Sequence, residues 1–152
     1  MNKVAVINTV GRFRRFEIPV KKTVLRILEI LNKKDVSAEI YLIDSSKIKI
    51  LNRELRGKDK PTNILSFKEP KNFIYPDKNE QKLGEIYLNL EMTADYRLQT
   101  TGERKKTADS SLLSVDELLI HGILHLIGYD HEKESDRIKM EKREKEVIRK
   151  LH

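Results

Sequence analysis

A chain of 152 residues with 31 lysines and arginines against 24 aspartates and glutamates carries a net charge of +7, and its length suits one domain, residues 1–152, with a real hydrophobic core. It has no cysteine, which excludes disulfides, thiolate metal ligands and a thiol nucleophile, and no apolar run approaches the length of a membrane span. The basic balance favours a polyanionic partner such as nucleic acid, and Asn8 and Gly11 interrupt any signal-peptide core, so the cytoplasm is the expected compartment.

Residues 1–18 read as strand material with a turn at Gly11, where GRFRRF places Phe13 or Phe16 in the core and its arginines either in solvent or on RNA. From Pro19 the period becomes helical, with Val20, Val24, Ile27, Leu28 and Leu31 on one face, ending at residues 32–35. Val36, Ala38, Ile40 and Leu42 alternate as a second strand. Asp44 or Ser45 caps a short helix carrying Ile48, Leu51 and Leu55. RGKDKPT, Arg56 to Thr62, is a basic loop broken by Gly57 and Pro61, and NILSF, Asn63 to Phe67, is a third strand.

Residues 68–82 form a polar excursion, and residues 83–90 a fourth strand. A helix begins at Thr93, and a polar connection carrying the basic ERKK, Glu103 to Lys106, follows it. Ser114 with Glu117 three residues later makes a capping box for a helix apolar on most sides, which must therefore be buried. It ends at Gly128, and a charged final helix spans residues 134–150 with a stripe of Ile138, Glu141, Lys145 and Ile148. The order implies an α/β (α+β) fold: a small mixed four-stranded sheet with about five helices.

The buried helix carries HGILHLIGYDH, His121 to His131, with three of the chain's four histidines. Its spacing, H-x-x-x-H-x-x-G-x-x-H, is that of the metzincin proteases, except that their glutamate base is here Gly122. His121 and His125 share one helix face, and a turn at Gly128 lets His131 return as a third ligand. Three imidazoles leave a fourth tetrahedral position open, which marks a catalytic zinc site, although nickel, copper or cobalt also accept such donors. Gly122 cannot take a proton, and it lets another element approach the helix closely. Asp130 is placed either to orient His131 or a water, or simply to shape the turn.

HGILHLIGYDH resembles the signature of the YbeY family, bacterial endoribonucleases linked to ribosomal RNA maturation. LNRELRGKDKPTNILSF, Leu51 to Phe67, and LGEIYLN, Leu83 to Asn89, match further blocks of that family, and MEKREKEV, Met140 to Val147, looks like its closing helix. The resemblance implies one Zn2+ per chain held by His121, His125 and His131. It implies cleavage of single-stranded RNA in small-subunit ribosomal RNA maturation and ribosome quality control, and association with the ribosome or small-subunit proteins. It places Arg56 where the family has a functionally important arginine; the basic loop that Arg56 begins also carries Lys58 and Lys60, whose charges suit an RNA substrate. The family often has Asp at the positions of Asn63 and Glu85, Ser at Asn89, and Pro at Lys68. Two other readings use the same residues: a metalloprotease-like hydrolase on the three-histidine site, or a ribosome-associated binding module with a structural metal.

Overall fold

The computed structural model describes residues 1–70, 80–101 and 112–152. Among these, the strands are β1 (Lys3–Asn8), β2 (Val36–Ile43), β3 (Ile64–Lys68) and β4 (Gln81–Asn89). The helices are α1 (Glu17–Ile30), α2 (Ser45–Arg56), α3 (Ala94–Thr101), α4 (Val115–Leu126) and α5 (Glu134–Leu151). The sheet order is β1-β2-β4-β3, with β1, β2 and β4 parallel and β3 antiparallel on the edge. This is the mixed four-stranded sheet with five helices expected from the sequence.

Alternation along β2 decides the layers, because successive side chains leave a strand on opposite faces. Val36, Ile40 and Leu42 join the main core with Val20, Val24, Ile27 and Leu28 of α1 and the apolar body of α4. Ile43 turns the other way, to a smaller cluster with Ile48 of α2 and Leu65 of β3, flanked by Tyr41, Phe67 and Tyr87. Helix α4 is thus packed between the sheet and its neighbours α1 and α5.

Three local expectations change. Gly11–Phe16 is a 3-10 helix and not part of a strand. At three residues per turn, Phe13 and Phe16 fall on the same side, so both reach the core while the arginines stay outside. Of those arginines, Arg12 is paired with Asp44 and Glu91. In α2 Leu55 is exposed, and the position that closes the buried face is Asn52. In α5 the buried positions are Met140 and Val147, and Ile138 faces solvent. ERKK, Glu103 to Lys106, and residues 71–79 of the polar excursion lie outside the described residues.

Candidate metal centre

The capping box on α4 forms as its spacing dictates: Glu117 N–H donates to Ser114 Oγ (3.1 Å) and Ser114 N–H to Glu117 Oε1 (3.3 Å). At the other end Tyr129 N–H donates to the Leu124 carbonyl (3.0 Å) and Gly128 N–H to that of His125 (3.1 Å). This is a Schellman turn, and it needs the positive φ of 112° that Gly128 adopts. The turn sends the chain back over the last helical turn and delivers His131 to its two helical partners.

The Nε2 atoms of His121 and His125 are 3.1 Å apart. The His131 ring centroid lies 4.9 Å from that of His125 and 5.8 Å from that of His121. One ring nitrogen from each residue falls within 4.8 Å of the others, so the three could hold one metal ion. Burial pushes the His125 imidazole down to about 4, and the neighbouring His121 and His131 add to the shift. The neutral ring is the form a metal ligand requires. Behind the group, Glu144 of α5 brings Oε2 to 3.5 Å from Nδ1 of His121. A carboxylate there favours a proton on Nδ1 and leaves Nε2 as the free donor. These features fit a divalent transition metal.

The imidazoles open on a cleft of about 380 Å³ shared with Arg56, Ser66 and Lys68. The antiparallel register explains two of these. The Asn89 N–H donates to the Asn63 carbonyl and Glu69 N–H to that of Leu83, so odd residues of β3 bond to β4. Ile64, Ser66 and Lys68 therefore turn their backbone groups to the free edge, and their side chains line the cleft. Lys68 owes no N–H to the ladder, so a proline is compatible with that position. Lysine there adds a cation without changing the strand. No carboxylate lines this cleft among the described residues.

Arg56 is the last residue of α2 and reaches the cleft; Lys58 and Lys60 are exposed in the following loop and do not line it. Their loop is held from behind by Asn52, which is 2% exposed and donates from Nδ2 to the Lys60 carbonyl (2.9 Å). Asn52→Ala removes that donor from a buried site. It is expected to lower unfolding free energy by about 1–3 kcal/mol, read from urea titration at unchanged m-value. A shift below about 0.3 kcal/mol would mean that the loop does not depend on Asn52.

Asp130 Oδ1 accepts the backbone N–H groups of His131 (2.6 Å) and Glu132 (3.2 Å), so its described bonds shape the turn and do not reach the His131 ring. Gly122 is buried, and a Cβ there would lie 2.9 Å from Ile86 Cδ1, 3.0 Å from Ile64 Cδ1 and 3.1 Å from Ser66 Oγ. A side chain at 122 would have to enter space that β3 and β4 already fill. Glu144, Ser66 and Lys68 were not singled out from the sequence as site residues. Their signals were a charged residue in register with Met140 and Val147 on α5, and the alternation of Ile64, Ser66 and Lys68 along an edge strand.

The comparisons with known proteins follow the same outline. The family model described as "Endoribonuclease YbeY" matches residues 11–152. A protein of that name from Persephonella marina is 39% identical over 140 residues, covering 88% of this chain and 81% of the relative. Another from Carboxydothermus hydrogenoformans is 40% identical over 107 residues, 70% of this chain and 66% of that one. The solution structure of TM1509 from Thermotoga maritima superposes with a TM-score of 0.59 at 25% identity, covering 97% of this chain and 88% of that one. The residues that build the cleft, Arg56 to Lys68 and His121 to His131, all lie inside the matched span, and the chain belongs to the YbeY endoribonuclease family.

Proposed function

We infer that this chain is a metal-dependent endoribonuclease that cuts single-stranded RNA, with zinc held by His121, His125 and His131, and that its substrate is small-subunit ribosomal RNA in the cytoplasm. The observation that carries the reading is the lining of one cleft: three imidazoles, Arg56 and Lys68, and no carboxylate among the described residues. Two cations suit a phosphodiester. The glutamate base of a zinc protease has no counterpart there. The relatives' names point to the same activity.

A divalent ion, when bound, supplies Lewis acidity toward a phosphoryl oxygen. The chain's residues do the remaining work. Arg56 presents a planar fork that can grip two phosphate oxygens and offset charge developing on them. Lys68 adds a point charge from the edge strand. Ile64 and Leu126 give the cleft apolar walls that strengthen those charges. Glu144 keeps the His121 proton on Nδ1. Small-subunit proteins are the partners such a substrate would bring with it.

Arg56→Ala is expected to lower kcat on single-stranded RNA at least about a hundredfold while metal content stays at the wild-type level. Cleavage at the wild-type rate would remove Arg56 from the reacting phosphate. Digestion of casein with RNA left intact would restore the protease reading. A single deoxyribose 5′ to the cut distinguishes two routes. If the 2′-oxygen attacks, it loses its proton, forms the new P–O bond and expels the 5′-oxygen, which gains a proton; the deoxy substrate is then inert. Undiminished cleavage of that substrate would rule this route out and leave water as the nucleophile.

A further inference from the structure

We propose that Phe67 is a positioning residue for Arg56, holding the guanidinium at the rim of the cleft through its ring. The proposal rests on the nuclease reading of that cleft and goes beyond it, because Phe67 lines no part of the cleft itself.

Arg56 needs such a support. It is the last residue of α2, it is followed by a glycine in the left-handed region, and its side chain is exposed. A long side chain in that place has many rotamers to lose. Arginines with a catalytic task are commonly held by a carboxylate, yet none pairs with Arg56 among the described residues. Its described contact is the Phe67 ring, 5.7 Å from Cζ to the centroid, which is cation–π range. The arrangement has a chemical advantage. A carboxylate would neutralise the charge and occupy the donors, whereas a ring face holds the cation and leaves its N–H groups free for phosphate.

The strand explains how the ring gets there. Phe67 is an odd residue of β3, so it faces away from the histidines, toward the second face of the sheet. Arg56 therefore lies across the β3 edge, with the ring on one side and the cleft on the other. Phe67 is itself fixed. It meets Tyr87 edge-on at 5.9 Å, and Tyr87 stacks on Tyr41 at 4.6 Å and 13°. The Tyr41 hydroxyl donates to Glu39 (2.7 Å) and the Tyr87 hydroxyl to Glu85 (3.0 Å). Lys82 lies 3.1 Å from Glu39 and 3.8 Å from Glu85 and ties the two carboxylates together. Three strands thus contribute to a wall whose end is the face offered to Arg56. The motif LNRELRGKDKPTNILSF begins on the helix that carries the arginine and ends on the ring that steadies it.

The test is a cycle of Phe67→Leu, Phe67→Tyr, Arg56→Ala and the double variant Phe67→Leu/Arg56→Ala, read by single-turnover cleavage of single-stranded RNA. Phe67→Leu is expected to slow cleavage about threefold to tenfold in the wild-type background and to have no effect once Arg56 is gone. Phe67→Tyr keeps the ring and is expected to keep the rate within about twofold of wild type. Metal content is expected to be equal in all four variants. A second reading is independent of cleavage: the Nε–Hε NMR resonance of Arg56, identified by its loss in Arg56→Ala, should carry a ring-current shift that Phe67→Leu abolishes and Phe67→Tyr retains. Equal slowing by Phe67→Leu with and without Arg56, or an Arg56 resonance indifferent to the ring, would overturn the proposal. A wild-type protein that leaves RNA intact would instead overturn the nuclease reading, and the resonance would still decide whether Phe67 holds Arg56.

Discussion

His125→Ala is expected to bring the purified protein from about one bound metal ion per chain to near none, and to reduce RNA cleavage at least about a thousandfold. His125 is the middle of the three-imidazole group. Its Nε2 lies 3.1 Å from that of His121, and its ring is the nearer of the two to His131. Two imidazoles without it span a wider gap and offer an ion too few donors. The fold should survive the change. Helix α4 keeps its capping box, its Schellman turn and its apolar contacts, and alanine is the best helix former.

Far-UV circular dichroism is therefore expected to be unchanged while metal content falls. Melting separates the two states further. Metal at a thousand times its dissociation constant stabilises a native protein by about 4 kcal/mol, roughly 10 °C for a chain of this size. The wild type should lose that increment in chelator and regain it with metal, whereas His125→Ala should melt at one temperature in both. Cleavage that survives in the variant would mean a contaminating nuclease or a different site.

Gly122→Glu, which restores the protease letter, is expected to destabilise the fold and create no protease. The new Cβ would stand 2.9–3.1 Å from the side-chain ends of Ile86, Ile64 and Ser66, which must give way to admit it. Overpacking costs about 1–3 kcal/mol, and the longer side chain must displace more of its neighbours than a Cβ does. The helix-propensity gain over glycine, about 1 kcal/mol, does not offset this. The expected result is a melting temperature lower by about 2–8 °C. Gly122→Ala brings the same three Cβ contacts and nothing beyond them, and should lose about 1 kcal/mol or less. Wild-type melting of the glutamate variant together with peptide hydrolysis would reverse the reading of position 122.

The three-histidine group, which could hold a metal ion, was legible in the sequence because it is local. The gathering of three histidines within HGILHLIGYDH depends on one helical face and one glycine turn, and both follow from short-range geometry. The sheet was legible for a related reason: Val36 to Leu42 alternate without interruption. The second wall of the cleft was not. Ser66 and Lys68 matter because β3 is an edge strand in a particular register with β4, and register is a tertiary fact. Lys58 and Lys60 drew notice for their charge, yet the loop turns them away from the cleft while Lys68 takes that place. GRFRRF misled because alternation of aromatic and basic letters imitates a strand, whereas the spacing of Phe13 and Phe16 suits a 3-10 turn. Glu144 was hidden because the stripe of Ile138, Glu141, Lys145 and Ile148 is not the face that packs; Met140 and Val147 mark that face, and Glu144 lies between them.

The cleft joins two parts of unequal durability. Its imidazoles come from eleven consecutive residues anchored to the main core, and its arginine arrives on a helix 65 positions earlier, steadied by an outermost strand that has a neighbour on one side only. Edge strands open at lower free energy than the core they border. A chain that has folded its core but not yet docked that strand would have its three histidines gathered and Arg56 not yet beside them. The two halves of the cleft are therefore expected to differ in protection, with hydrogen exchange faster at the amides of β3 than at those of α4.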